Sequence, residues 1–285
     1  MPAKSAPPAI VAPVPELSDK EFSNFFQLIH RQAGIYLPPQ KKELVRARLV
    51  KLVRERGLAG FSEYYQQVLK DRSGGELGHL LDAISTNQTA FWREPAHFSL
   101  LAQVILPQWR QQRRAGLSWR FWSAGCSSGE EPYTLAMVLL EALPVKDLKN
   151  AKIFASDLNT QVLAQAQQGI YPEARAAPLP TEWQQRFFQK GHGQWEGYVR
   201  VKPEVRGLVH FFHLNLMDAF NFNDEFDLIF CRNVMIYFDK LTQAAVVQKF
   251  YRSLRPEGYL FIGHSESLCN LDHRFSYVKP TVYRK

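Results

Sequence analysis

The sequence predicts an α/β protein: a doubly wound sheet, preceded by a small all-helical domain and interrupted by a small antiparallel β insertion. Three observations carry this. From about residue 117 onward, short apolar strands alternate with longer helices. Residues 17 to 84 show only helical periodicity and helix-ending signals. Residues 172 to about 205 break the alternation with two β-prone stretches around a glycine-rich turn at Gly191, Gly193 and Gly197.

Taken in order, residues 1–16 ("MPAKSAPPAIVAPVPE") are Ala/Pro-rich and lack a charged segment leading into an apolar one, so they read as a disordered tail and not as a signal peptide. "LSDKEF" offers a capping box, Ser18 with Glu21, opening a helix to about Gln32 that "GIYLPP" breaks. The next helix places Leu44, Val45, Leu49, Leu52 and Val53 in an apolar stripe and ends at Gly57. "FSEYYQQVLKD" and "ELGHLLDAI" complete a helical domain over 17–84, and residues 85–116 form a linker and helix. The α/β domain over 117–285 then follows. "LSWRFWSAG" is a strand, and Pro132 stands in the first turn of the helix after it. "AKIFASD" is a second strand, followed by a helix capped by Asn159 or Thr160. "VHFFHLN", "FDLIFCRN" and "YLFIGHSES" are further strands, the helix "KLTQAAVVQKFYRSLRPEG" precedes the last of these, and "RFSYVKPTVYRK" is a closing strand pair.

The longest apolar runs fall far short of the roughly 18 residues a membrane span needs, so no direct membrane insertion is expected. Three scattered cysteines, Cys126, Cys231 and Cys269, argue against a disulfide framework and a zinc site, and fit a reducing cytoplasm. The 35 basic and 27 acidic residues favour a polyanionic partner: nucleic acid, an anionic membrane surface or an acidic protein. Much of the excess sits on one helix, in Lys41, Lys42, Arg46, Arg48, Lys51, Arg54 and Arg56, against Glu43 and Glu55. A solvated helix face is the plainer reading of the same run.

Ligands of a doubly wound sheet bind beyond the carboxyl ends of its strands. Those ends carry Gly125, Gly129 and Glu130, then Asp157, then Asn215, then Arg232 and Asn233. This is a set suited to a nucleoside: glycines for close approach, a carboxylate for a ribose, an amide for a base edge. The turn "AGCSSGEEP" lacks the G-x-G-x-x-G of a nicotinamide site, and its two glutamates would repel a pyrophosphate. A phosphate-free cationic ligand such as S-adenosylmethionine is compatible; equally, Glu130 and Glu131 are what a helix N-terminus favours on its own. In "ISTNQTAFWREPAHF", Arg93 can pair with an α-carboxylate, with Asn87 and Thr89 hydrogen-bonding the same moiety, or the segment can be a cap and turn between domains.

"STNQTAFWRE", "SAGCSSGEEPYT", "FASDLN", "FCRNVMIYF" and "GHSESL" occur in the order and at about the spacing found in the chemotaxis receptor methyltransferases, and from about residue 17 onward the chain resembles that family, known as CheR. The resemblance implies a Rossmann-like methyltransferase sheet. It implies methyl transfer from S-adenosyl-L-methionine to receptor glutamates, leaving glutamate γ-methyl esters and S-adenosyl-L-homocysteine. It also implies cofactor contacts from Asn87, Thr89, Arg93, Glu130, Asp157, Asn215, Leu216, Arg232 and Asn233, with Tyr237 next to the reacting methyl. Arg93 and Tyr237 are the expected catalytic pair, and no metal is expected. Lys41, Lys42, Arg46, Arg48, Lys51 and Arg54 would face acidic methylation helices of chemoreceptors, and the β insertion would bind a receptor C-terminal peptide as in some members.

A cytoplasmic monomer that binds no nucleic acid is the expectation. The rival enzyme is a nucleic-acid methyltransferase, whose usual N/D-P-P-aromatic or Pro-Cys signature is replaced here by "CRNVMIYF". The rival non-enzyme is a receptor-binding module that senses the cofactor. His264 and Ser265 suggest a nucleophile pair, but neighbours on a strand point to opposite faces, which favours a strand-end structural role. Cys126 and Cys231 read as small buried thiols, and Trp195 either lies on the surface of the insertion or packs its base.

Overall fold

The computed structural model describes residues 16–112, 118–220, 222 and 224–285. The Ala/Pro tail before Glu16 and the Leu117 start of the first expected strand lie outside the described residues. The chain forms two compact units, one comprising the chain to His30 with Leu37–Ile84, the other Arg31–Tyr36 with Ser85–Lys285.

Helix α1 (Asp19–Ala33) begins at a reciprocal capping box. The main-chain N–H of Ser18 and its hydroxyl both donate to Glu21 Oε2, at 2.9 and 2.6 Å, and Glu21 N–H returns to Ser18 Oγ at 3.3 Å. Helix α2 (Lys42–Glu55) buries Val45, Leu49, Leu52 and Val53, which follow the i, i+4, i+7, i+8 rule of one face. Leu44 departs from the expected stripe and stays 42% exposed, because it shares its helical column with Arg48 and Lys51 and not with the apolar seam. Helix α2 closes in a Schellman motif: Leu58 N–H donates to Val53 O and Gly57 N–H to Arg54 O, both at 3.1 Å, with Gly57 at φ +63°. Helices α3 (Phe61–Lys70) and α4 (Gly75–Ile84) complete this unit. Asp71 between them accepts the N–H groups of Ser73 and Glu76 at 2.8 and 2.7 Å.

In the second unit, Ser85–Glu94 leads into α5 (Pro95–Leu100), a π-helical turn (Leu101–Ile105) and α6 (Leu106–Gln112). The sheet and its crossovers follow: β1 (Trp119–Ala124), α7 (Glu130–Ala142), α8 (Val145–Leu148), β2 (Ala151–Asp157) and α9 (Thr160–Gln168). Asn159 is the cap of α9, its Oδ1 accepting from Gln161 and Val162 N–H, both at 3.0 Å. The insertion contains β3 (Ile170–Pro172), α10 (Glu173–Ala176), α11 (Thr181–Phe187), β4 (Phe188–Lys190), β5 (Tyr198–Val201) and α12 (Pro203–Arg206). Then come β6 (Val209–His213), β7 (Phe226–Cys231), α13 (Lys240–Ser253), β8 (Leu254–Ile262), β9 (Ser276–Lys279) and β10 (Val282–Arg284).

The seven-stranded sheet has the order β6-β2-β1-β7-β8-β10-β9, parallel from β6 to β8 with β10 and β9 antiparallel at one edge. The chain winds outward from β1 through β2 to β6, then returns to β7 on the other side of β1. Strand order therefore reverses between β1 and β7, and the crevice beyond their carboxyl ends is where such a sheet offers a ligand site. Both faces are covered: Phe121, Ile153, Leu228 and Phe230 belong to one apolar cluster, and Trp122, Ala124, Ile229 and Cys231 to the other. That is the period-2 alternation of a sheet buried on both sides.

Two further details differ from the sequence reading. The insertion is a three-stranded sheet, β3-β5-β4, and not a lone hairpin, because the three residues after the left-handed Gly169 pair with β5 before Pro172 ends them. Strand β8 begins at Leu254, directly after α13, and carries Pro256 and a left-handed Glu257 opposite a register shift in β7. "LRPEG" looks like the end of a helix; its tertiary partner makes it a bulged strand.

Gly34, just past the end of α1, sits at φ +69°, where a Cβ would lie 2.5 Å from Met217 Sδ and 2.9 Å from Thr242 Cγ2. Left-handed backbone and steric contact oppose a side chain together. Gly34→Ala is expected to destabilise the second unit by about 2 kcal/mol or more, read as a lower urea midpoint with unchanged slope. An unaltered midpoint would show that the loops against Gly34 yield freely.

Candidate functional site

The crevice is built from four strand exits and the segment before α5. After β1, Gly125 turns at φ +82°, and the Val234 side chain occupies the space a Cβ there would take. The N–H groups of Gly125 and Cys126 both donate to Ser156 O, at 2.8 and 2.9 Å, so the turn after β1 is pinned to the end of β2. Asp157, at that end, is buried and accepts Ser127 N–H at 2.8 Å and Asn159 N–H at 2.9 Å. The Ser127 hydroxyl donates to Asn87 O at 2.9 Å, and Asn87 Nδ2 donates to Ser85 Oγ at 3.1 Å. Asn87, Thr89 and Arg93 thus lie on a segment tied to the first two strand exits. Asn87 and Thr89 are half-buried, and Arg93 reaches back to Gln88 O at 2.9 Å.

Three aromatics anchor this segment. Phe91 stacks edge-on against Tyr171 and Phe188, and Trp92 stacks on Phe98 with Trp183 at its edge. Packing of this kind holds a polar loop in place without spending its polar groups.

The adjacent glutamates have different fates. Glu130 is fully buried and accepts from the Ser128 hydroxyl at 2.7 Å and from the Arg175 guanidinium. Glu131, which sequence reasoning left at the helix dipole, accepts from Ser123 Oγ and from Arg232 Nε, both at 2.6 Å. Arg232 is itself buried; its Nη1 donates to Arg93 O at 2.7 Å and stands 3.4 Å from both Glu94 Oε2 and His97 Nδ1. The Arg232 side chain is therefore committed to protein partners, tying β7, the start of α7 and the Arg93–His97 segment together.

His97 completes that network. Its Nε2 meets Thr281 Oγ1 at 2.7 Å, and the Thr281 hydroxyl donates to Pro280 O at 2.6 Å. Threonine can then only accept, so His97 carries its proton on Nε2 and offers Nδ1 to Arg232. Burial, with Arg232, His264 and Lys279 nearby, lowers the His97 pKa to about 3, so the ring is neutral at physiological pH. Glu94, His97 and His264 bring potential metal ligands within 4.8 Å of one another. The cation already serving Glu94 and His97 is the guanidinium of Arg232. Burial raises the thiol pKa values of Cys126 and Cys231 well above the ordinary value, so neither offers a thiolate.

At the β7 exit, Asn233 stands at φ +59°, and its Oδ1 is buried with no hydrogen-bond partner. A buried, unsatisfied amide oxygen at a switch point fits a donor on a bound ligand, such as an adenine amino group. Asn215 is different: its Nδ2 donates to Gln32 O at 2.6 Å and its Oδ1 accepts Met217 N–H at 3.0 Å, while Leu216 packs into the core beneath α13. Their side chains shape the β6 exit. Lys249 holds this loop from behind, donating to the carbonyls of Leu216, Met217 and Asp218 at 2.8 to 2.9 Å. Tyr237 ends a 3-10 turn (Met235–Tyr237), half-buried, with its carbonyl accepting Tyr36 N–H at 2.7 Å.

Strand β8 ends at Ile262, so His264 and Ser265 lie in a turn and not on a strand. The residue of consequence in "GHSES" is Glu266, whose carboxylate faces the β7 exit. Its signal was an acid two residues beyond a histidine that drew attention first.

Among the basic residues of the first unit, Lys42 pairs with Asp19 at 2.5 Å, Arg46 with Glu43 at 2.8 Å, and Arg56 with Glu76 at 2.6 Å. Arg48 donates to Ile84 O. Lys41 is half-buried; Lys51 and Arg54 are exposed, with Lys51 loosely paired to Glu55 at 3.8 Å. Among the described residues, no helix is long and apolar enough to cross a membrane.

Two family models match the chain: "CheR methyltransferase, all-alpha domain" over residues 20–85 and "CheR methyltransferase, SAM binding domain" over residues 87–284. The chain is 42% identical over 268 residues to the chemotaxis protein methyltransferase of Salmonella typhimurium, covering 94% of this chain and 90% of that protein. The corresponding protein of Escherichia coli is also 42% identical, with 94% and 91% covered. Chemotaxis protein methyltransferase 2 of Pseudomonas aeruginosa is 42% identical, with 93% and 92% covered. The match to the SAM-binding model spans all four strand exits and the Asn87–Arg93 segment, and on this extent the chain belongs to the CheR methyltransferase family.

Proposed function

We propose that this protein methylates glutamate side chains of bacterial chemoreceptors, using S-adenosyl-L-methionine and leaving glutamate γ-methyl esters. The observation that carries the reading is the buried, unpartnered Asn233 Oδ1 at the switch point of a sheet matched by the family's SAM-binding model. Asn87, Thr89, Arg93, Glu130, Asp157, Asn215, Leu216, Arg232 and Asn233 are the proposed cofactor shell. Asn233 acts through its side chain, and Asp157 through its carboxylate, which has about four lone-pair sites and accepts the N–H groups of Ser127 and Asn159 as well. Asn215, Leu216, Arg232 and Glu130 act mainly by fixing the loops that carry them, since their side chains are engaged or packed within the protein.

When bound, S-adenosylmethionine supplies an electrophilic methyl on a sulfonium. The acceptor is a glutamate carboxylate, ionised near pH 7 because its ordinary pKa is about 4.3. No general base is needed. The protein's task is to bring the carboxylate into line and keep water out, and positioning of this kind is worth on the order of 7 to 11 kcal/mol. Arg93 and Tyr237 are the proposed orienting groups. A cation beside the incoming carboxylate also opposes the rise in pKa that desolvation would cause, and so preserves the nucleophile.

Two further surfaces suit a receptor. The exposed Lys51 and Arg54, with Lys41, Lys42, Arg46 and Arg48, make α2 a basic face for acidic methylation helices. In the insertion, β3 and β4 are both edge strands, and Trp195 and Tyr198 lie 47% and 42% exposed beside the β4–β5 turn, edge to face at 6.1 Å. An edge strand with exposed aromatics suits an extended peptide added as a further strand, here a receptor C-terminal tail.

Arg93→Ala is expected to cut tritiated methyl transfer to receptor membranes at least tenfold, the loss of one charge-assisted contact. Retained turnover would remove Arg93 from the catalytic pair. The label should be released by mild base, as an ester requires; base-stable label on RNA would point to the nucleic-acid alternative. Lys51→Glu with Arg54→Glu should slow methylation at low ionic strength, with the difference from the parent shrinking as salt approaches about 1 M, where the screening length is about 3 Å. Equal rates at low salt would make α2 a solvated face. Calorimetry with receptor C-terminal peptides should give binding that Trp195→Ala weakens, and a Trp195→Ala variant that binds such peptides as well as the parent would exclude this edge.

A further inference from the structure

We propose that Glu266 is a positioning residue for methyl transfer, setting the β7 exit so that Asn233 and Tyr237 face the site. The inference rests on the reading above that Asn233 contacts the cofactor and Tyr237 lies beside the reacting methyl. Glu266 closes a turn, its N–H donating to Gly263 O at 2.9 Å, and its carboxylate gathers four main-chain donors. Oε2 accepts Asn233 N–H at 2.9 Å and Gly263 N–H at 2.5 Å; Oε1 accepts Val234 N–H at 3.0 Å and Ile236 N–H at 3.2 Å. One buried side chain thereby joins the exits of β7 and β8.

Only an acceptor-only group can meet four converging N–H donors, and an ionised carboxylate has about four lone-pair sites. The donors come from residues that matter to the site. Asn233 stands in the left-handed region, which asparagine tolerates better than other side chains, and Glu266 accepts its N–H there. Val234 packs where a Cβ on Gly125 would be, coupling the β7 exit to the β1 turn. Gly263 leaves room for Asn233, since a Cβ there would lie 2.6 Å from Asn233 Nδ2 and 2.8 Å from its N. Ile236 N–H fixes the 3-10 turn that ends in Tyr237.

A purely stabilising role accounts for this less well. Burial raises the pKa of Glu266 in spite of its four hydrogen bonds. A carboxyl whose folded pKa lies above its unfolded value favours folding at low pH and subtracts from stability once it ionises. Titration of Glu266 therefore adds to stability only toward low pH, whereas the four donors it collects call for the ionised form.

The test uses the full chain and calorimetric titration with S-adenosylhomocysteine. Glu266→Gln is close in shape but turns amide hydrogens toward the donors; it should weaken binding about tenfold, as expected when buried donors lose their acceptor. Glu266→Asp keeps the charge on a shorter stem and should fall between Gln and the parent. Asn233→Ala should also weaken binding, and combining it with Glu266→Gln should cost little beyond the larger single loss, because both changes remove the same contact. Losses that multiply independently, or a Glu266→Gln protein that binds as tightly as the parent while Asn233→Ala does not, would overturn the positioning role. Undiminished binding by Asn233→Ala would instead overturn the site reading, and this inference with it. Should Glu266→Gln not fold, Glu266→Asp carries the same cycle.

Discussion

The buried pair between Arg232 and Glu131 is the interaction on which the rest of the site depends. The two residues come from the exit of β7 and the first turn of α7, and the guanidinium also binds Arg93 O, so one planar group joins three segments far apart in the chain. Both side chains are almost wholly removed from water. Two such charges are costly to desolvate, and breaking the pair from one side costs about 3 to 5 kcal/mol because the survivor is left uncompensated. The surroundings are arranged accordingly. Phe98 and Phe230 sit 5.1 Å from the guanidinium carbon, Ser123 satisfies the other oxygen of Glu131, and His97 is kept neutral so that it can accept from Arg232. A protonated His97 would place a second cation against Arg232. The chain from Arg232 through His97 and Thr281 to Pro280 reaches the turn between β9 and β10, so the Arg93–His97 segment is tied to the antiparallel end of the sheet.

Main-chain geometry at the crevice follows a related logic. Of the non-glycine residues with positive φ, Trp92, Glu94, Ser127 and Asn233 all belong to the site segments. Single left-handed residues cost about 1 to 3 kcal/mol each and persist only where the surroundings over-determine them. Charged side chains hold these segments: Asp157 accepts Ser127 N–H, Arg232 donates to Arg93 O between Trp92 and Glu94, and Glu266 accepts Asn233 N–H. At the β6 exit Lys249 collects carbonyls in the same way. Each side chain satisfies main-chain groups that a tight loop cannot pair within itself, which lets the loops be irregular and still rigid.

Local signals made most of the fold legible. The capping box at Ser18, the glycine end of α2 and the Asn159 cap involve partners within a few residues, and the alternation of β7 needs only a period of two. What could not be read depended on distant partners. Leu44 lies at the margin of its stripe, and only the packing of the helical domain decides that it is exposed. "IYP" is too short to be a strand until β5 pairs with it. At the site, residue types at strand ends were visible, but not the use of their side chains. Asn215 and Arg232 carry the donors expected of ligand contacts, and the fold directs those donors to Gln32 O, Glu131 and Arg93 O. Glu131 and Glu266 went unassigned because a carboxylate that binds protein looks, in sequence, like one at a helix end or a rim. The amide oxygen of Asn233 stays buried and unpartnered, a state that its residue type alone does not reveal.

The charge balance of the crevice bears on how a methyl donor would be told from its product. Five carboxylates lie at or behind the strand exits, Glu94, Glu130, Glu131, Asp157 and Glu266, against the guanidiniums of Arg93, Arg175 and Arg232 and the ammonium of Lys249. With His97 neutral, the excess is negative in a low-dielectric setting where charge is felt strongly. A sulfonium donor carries one positive charge more than the thioether it becomes. On electrostatics alone, such an excess would attract a sulfonium more than a thioether. The same excess would repel an incoming glutamate carboxylate, and a cation near the acceptor, the role proposed above for Arg93, would offset that repulsion.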